Sequence, residues 1–266
     1  MVEFQRKDFY SYEDFLEIMR LLRAPGGCPW DREHSSIRRN FLEETYEVLD
    51  AIDHDDASGM CEELGDVLMQ VAFHAQIEAE RGRFTMANVV DGVARKLVYR
   101  HPHVFGDVQA DTSQQVLANW DVLKRREKGQ RSTADAVEAV PHTLPALWRA
   151  EKIQSKTAKA GFDWTSSLQA LDKLEEEVRE LRAALEAGQA ADAPHGIREE
   201  LGDTLFMAAK IAQMSGVDPE DALHRACDKF DRRFRAVEEA ADKPLPECGE
   251  AELLALWNDA KSHDPS

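Results

Sequence analysis

Two stretches constrain this chain more than any other feature: "NFLEETYEVLDAI" at 40–52 and "KLEEEVRELRAAL" at 173–185. Both carry apolar residues at helical spacing, and both set carboxylates onto or beside the apolar stripe. At about 100° per residue, Glu44 falls next to Val48 and Ala51, with Glu47 one turn on at the stripe's edge. Glu177 falls between Leu181 and Ala184, again with a second acid, Glu180, three residues on. The helix that follows each of these repeats the device with Glu63 and Asp66, then with Glu200 and Asp203. One such pair is ordinary on an acidic surface. Four, in duplicated order, are not: a carboxylate away from water is costly unless it is neutralised or coordinated. The pattern therefore predicts a divalent metal held by carboxylates from two helices in each half.

The rest of the chain follows the same duplication. "GCPWD", "LEETYEVLD", "EELGDVLMQ", "KLVYR" and "WDVLK" are answered in order by "GFDW", "LEEEVREL", "EELGDTLFM", "KFDRR" and "WNDAK". No segment alternates with period two, and glycine and proline gather at the breaks, so the chain reads as all-α. Helices are expected over 11–23, 40–53, 58–81, 86–100, 113–128, 145–160, 167–187, 196–215, 219–241 and 250–262. The domains read as 1–128 and 145–266, joined by a linker at 129–144. Asn40 reads as the cap of the first acidic helix, with Glu43 completing a capping box. Gly65 reads as the point where a partner helix comes close.

Charge narrows the function. A formal charge of -18 repels nucleic-acid phosphates, so nucleic-acid binding is disfavoured. A small polyanion would need a metal or a local cationic pocket. The apolar runs are too short for a membrane span and the N-terminus has no signal-peptide core, so a cytoplasmic protein is expected. Cys28, Cys61, Cys227 and Cys248 are scattered and read as incidental or buried thiols in a reducing compartment.

All-oxygen ligands suit Mg²⁺, with Mn²⁺ as substitute. His74 lies on the Glu63 face, but Ile211 stands at its counterpart, so it reads as a core histidine. Cations recur after each acidic pair: Lys96 with Arg100, and Lys229 with Arg233, at i, i+4. Trp120 with Lys124, and Trp257 with Lys261, recur likewise, and an indole can stack on a base without choosing among bases. Trp30 and Trp164 precede the acidic helices and read as packing residues.

Together with "GGCPWD", "RHPHVFGD" and "KAGFDW", these blocks resemble the MazG family of nucleoside triphosphate pyrophosphohydrolases, in its two-domain form and over almost the whole chain. The resemblance implies an all-α fold whose four-helix core is completed by dimerisation. It implies Mg²⁺-dependent hydrolysis of nucleoside triphosphates to monophosphate and pyrophosphate, a nucleotide-pool role, and a homodimer. The family signature falls on Glu44, Glu47, Glu63 and Asp66 and on Glu177, Glu180, Glu200 and Asp203 as metal ligands; the second four are read as the catalytic set on the flanking residues compared below. It assigns phosphate contact to Lys229 and Arg233 and nucleotide contact to Trp257, with Lys261 beside it. A narrower dUTPase-like or modified-dNTP hydrolase uses the same scaffold. A helical regulatory protein with a solvated acidic face is the alternative of another class.

Two differences between the halves favour the second as the catalytic one. Lys173 stands four residues before Glu177, where it can reach a phosphate; its counterpart is the uncharged Asn40. The helix bearing Arg233 runs on, whereas Arg100 is followed by His101-Pro102, which disfavours further helix and predicts a less firmly presented arginine.

Overall fold

A computed structural model describes residues 4–29, 34–109, 112–127 and 129–264. Among the described residues there are α-helices and no strands, as the periodicity predicts. The chain divides into two compact units, Met1–Lys124 and Arg125–Ser266.

The first unit contains α1 (Tyr12–Arg23), α2 (His34–Asp53), α3 (Ala57–Glu80), α4 (Met86–Arg100) and α5 (Pro102–Phe105), and most of α6 (Ser113–Glu127). Its centre is the long antiparallel contact of α2 with α3, onto which α1 packs. Met19, Ile37, Ala72, Phe73 and Ile77 form the core, with Phe15, Leu16, Ile18, Leu22 and Met69 around it. Full burial of side chains such as Phe73 and Ile77 stabilises by about 1.5–3 kcal/mol each, so this cluster fixes the end of α3 remote from its acids. Arg23 closes the seam, pairing with Glu80 at 2.7 Å.

The second unit contains α7 (Thr133–Glu138), α8 (Ala146–Ala158), α9 (Ser167–Glu186), α10 (Ile197–Met214), α11 (Pro219–Ala240) and α12 (Glu250–His263). Here α9 lies along α10, α8 packs on α10, and α11 pairs with α12. A polar tie adds to the apolar packing: the buried Gln154 of α8 donates to the Phe206 carbonyl of α10 at 2.7 Å.

Several sequence expectations change. Asn40 is no cap, because α2 begins six residues earlier, at His34. Ile37, only 2% exposed, anchors that extra length in the core, and Glu43 pairs with Arg39 at 2.8 Å across one turn instead of closing a capping box. Among the described residues a methyl at Gly65 would meet nothing within 4 Å, so no close helix contact within the chain explains this glycine. The stretch 129–144 holds α7, whose Ser132–Asp135 capping box starts a turn that packs against α8. The four cysteines are free thiols, and Cys61 and Cys227 are exposed. Trp30 lies outside the described residues.

Candidate metal centre

Helix pairing brings the acids together. In the second unit, Glu177 from α9 and Glu200 and Asp203 from α10 each offer a carboxylate oxygen within 4.8 Å of the others. In the first, Glu44 from α2 meets Glu63 and Asp66 from α3 in the same way. Two oxygens bound to one Mg²⁺ lie at most about 4.2 Å apart, so each trio needs at most a small inward shift to share an ion. The donors are hard oxygens with no sulfur or imidazole among them, which fits Mg²⁺ or Mn²⁺.

The fourth acid of each set, Glu47 or Glu180, stands just outside the trio but within its field. Burial, a hydrogen bond with Glu47 and the charge of Asp66 raise the Glu44 carboxyl above its ordinary range. Burial and then the charge of Glu47 raise Glu63. Glu180 is raised by burial and next by Glu177. All three shifts report carboxylates crowded together and partly dried, which is the condition a cation relieves.

The two clusters differ in setting. Glu177 and Glu200 are 6% and 5% exposed while Asp203 is exposed, whereas the first unit's three acids are all half-buried. Glu200 lies in the first turn of α10, where the helix dipole favours negative charge. Lys173 Nζ lies 2.8 Å from Glu177 Oε1 and 2.7 Å from Glu176 Oε1. Sequence reasoning passed over His195, whose Nδ1 is 3.7 Å from Glu200 Oε1. Its place in "APHG", just ahead of the helix carrying Glu200, was the available signal.

The flanking cations and indoles part ways as well. Arg100 is buried with its guanidinium 5.1 Å from the Trp120 ring centre, and Lys124 Nζ stands 4.6 Å from the same ring. Arg100 is thus held firmly, contrary to the reading from His101-Pro102: stacking on an aromatic face fixes it whatever the backbone does next. Lys96 is exposed. In the second unit, Trp257 packs against Phe230 at 5.3 Å, between the positions of exposed Lys229 and of Arg233, which binds Asp264. Lys261 is exposed one turn beyond Trp257. His74 meets the edge of Phe41 at 5.8 Å. Trp164 is half-buried with Lys210 Nζ 5.9 Å from its ring.

Two segments of the chain, residues 32–105 and 165–237, match the MazG nucleotide pyrophosphohydrolase domain, and each contains one acidic cluster. The chain belongs to the MazG family. This MazG-family chain is 46% identical over 226 residues to the nucleoside triphosphate pyrophosphohydrolase of Escherichia coli K12, covering 84% of this chain and 85% of that one. It is 40% identical over 258 residues to the nucleoside triphosphate pyrophosphohydrolase/pyrophosphatase MazG of Thermotoga maritima, covering 95% and 96%. It is also 42% identical over 260 residues to YabN of Bacillus subtilis, covering 95% of this chain and 52% of that protein.

Proposed function

We propose that this chain hydrolyses nucleoside triphosphates to the monophosphate and pyrophosphate in the cytoplasm, as a nucleotide-pool housecleaning enzyme that uses Mg²⁺ or, in its place, Mn²⁺. The observation that carries the reading is the trio Glu177, Glu200 and Asp203, drawn together from two helices with Lys173 at its edge. Relatives named for this reaction, aligned over most of their length, support it. Bound Mg²⁺ would neutralise triphosphate charge and lower the pKa of a coordinated water. The chain's own residues supply the rest. Glu177, Glu200 and Asp203, with Glu180 beside them, would hold the ion in the second unit, and Glu44, Glu63 and Asp66, with Glu47, form the matching set in the first. Lys173, Lys229 and Arg233 place positive charge where phosphate oxygens gather, and charge on a departing pyrophosphate is stabilised best by donors already in position. Trp257 offers an indole face to the base, with Lys261 beside it.

The test is product analysis with each ribo- and deoxyribonucleoside triphosphate and Mg²⁺. Pyrophosphate with monophosphate supports the reading; orthophosphate with diphosphate rejects it. Turnover of a single base or sugar would narrow it to a dUTPase-like or modified-dNTP enzyme, and no Mg²⁺ binding by calorimetry would favour a regulatory helical protein.

The reading includes a homodimer. Exposed leucines on the acid-bearing helices support it: Leu42, Leu64, Leu201 and Leu205 are each 45–57% exposed, and Gly65 and Gly202 face open space. A second copy of the same chain is the occupant these faces suit. Sedimentation at micromolar concentration should give a dimer, and Leu64→Glu with Leu201→Glu should dissociate it; a wild-type monomer would refute this part.

A further inference from the structure

Arg233 and Asp264 meet where α11 runs beside the end of α12. Asp264 Oδ2 accepts from Arg233 Nε at 2.8 Å, and its Oδ1 faces Arg232 Nε at 3.4 Å. The Asp264 side chain is 6% exposed and that of Arg233 17%. The carboxylate is presented from a fixed point, because Asp264 follows α12 directly and its backbone N–H donates to the Ala260 carbonyl at 3.1 Å. The same helix carries Trp257, whose contact with Phe230 ties α12 to α11 in the interval between Lys229 and Arg233.

A guanidinium offers five N–H donors in a rigid planar fork. The carboxylate takes Nε, and Nη1 and Nη2 have no hydrogen-bond partner among the described residues. That two-pronged end is the part of the fork that suits phosphate oxygens. A carboxylate standing in for phosphate would take that end. One that sets the arginine's direction would take Nε, as Asp264 does. The Arg233 hydrogen bond, above all, holds the Asp264 carboxyl below its usual range, so the pair stays ionic at neutral pH. The first unit fixes its equivalent arginine differently, with Arg100 laid on the face of Trp120.

We propose that Asp264 is a positioning residue: by binding Nε of Arg233 it aims the free Nη pair of that arginine at the pyrophosphate portion of the substrate. The inference rests on the function proposed above. The test uses the full chain with Mg²⁺ and a nucleoside triphosphate, and reads kcat, KM and product inhibition by pyrophosphate. Asp264→Asn should raise KM and the pyrophosphate inhibition constant about tenfold, the usual order for removing a partner that orients a contacting group. Asp264→Glu should recover most of the loss, and in an Arg233→Ala background Asp264→Asn should add nothing. If Asp264→Asn raises kcat/KM, the carboxylate competes with phosphate and the inference is overturned. Equal losses with and without Arg233 also overturn it, since Asp264 would then act independently of the arginine. Should Asp264→Asn fail to fold, Asp264→Ser with and without Arg233→Ala carries the same comparison. Failure of the parent reading looks different: the wild-type chain would release no pyrophosphate, and both proposals would fall.

Discussion

On α9 the ammonium of Lys173 rests 2.8 Å from Glu177 Oε1, so a cation one turn upstream already touches the acidic cluster. The hydrogen bonds it donates to Glu176 and then to Glu177 raise its pKa well above the ordinary lysine range, so it remains charged at any working pH. Replacing it with methionine removes a charged donor at the phosphate edge of the site. A hydrogen bond to a charged group is worth about 1.5–3 kcal/mol, which corresponds to a fall in kcat/KM of roughly 10–100-fold. Steady-state kinetics of Lys173→Met checks this, and kinetics equal to wild type would remove Lys173 from the site.

Metal-linked stability should depend on pH with a definite sign. Glu44, Glu63 and Glu180 have folded-state values raised above the ordinary one. Without metal, stability is therefore fullest below the ordinary glutamate range and declines as pH rises through the raised values. Mg²⁺ binds the ionised carboxylates, so the Tm gained from it should be larger at pH 8 than at pH 5. At a concentration 100 times Kd the gain is about 2.7 kcal/mol. Thermal melts with Mg²⁺ and with EDTA at the two pH values decide it, and a gain that shrinks with rising pH would contradict the assignment.

The second unit should carry most of the turnover. Glu200→Ala with Asp203→Ala is expected to abolish pyrophosphate release, whereas Glu63→Ala with Asp66→Ala should leave it within a few-fold of wild type. The ground is the indoles: Trp120 is engaged by Arg100 and Lys124, while Trp257 packs against Phe230 and, among the described residues, Nη1 and Nη2 of Arg233 have no hydrogen-bond partner. Both pairs should be checked for folding by circular dichroism. The reverse outcome would mean the halves are assigned backwards.

The buried Lys210 gives an asymmetric stability prediction. Its side chain is 1% exposed, and Nζ binds Asp163 at 2.5 Å and Gln213 Oε1 at 2.6 Å. Phe73 stands at the corresponding place in the first unit, so an apolar residue suits that depth. Lys210→Met should cost less than about 1.5 kcal/mol. Asp163→Asn leaves a buried ammonium without its counter-charge and should cost about 3 kcal/mol or more. Denaturant unfolding of the two variants checks the order, and equal costs would show that burial of the lysine is unimportant.

Much of the site was legible because a helix converts spacing into direction. Residues three apart must share a face, so Glu63 with Asp66 and Glu200 with Asp203 could be read as pairs before any packing was known. The start of α2 was less legible: Asn40 is a good cap, but burial of Ile37 outweighed it. The contacts of Arg100 with Trp120 and of Arg233 with Asp264 join residues from different helices, 20 and 31 positions apart. No periodicity within a single helix encodes them, since they exist only once α4 meets α6 and α11 meets α12. His195 was missed for the same reason, its relation to Glu200 depending on a turn.

The helix inside the interval 129–144 bears on how the gene should be divided. Ala136 and Val140 are 0% and 3% exposed, and α7 lies against α8. A fragment beginning at residue 145 would strip that cover and present bare hydrocarbon to solvent. One beginning ahead of Ser132 keeps the capped turn and is the reading frame to express when the second unit is wanted alone.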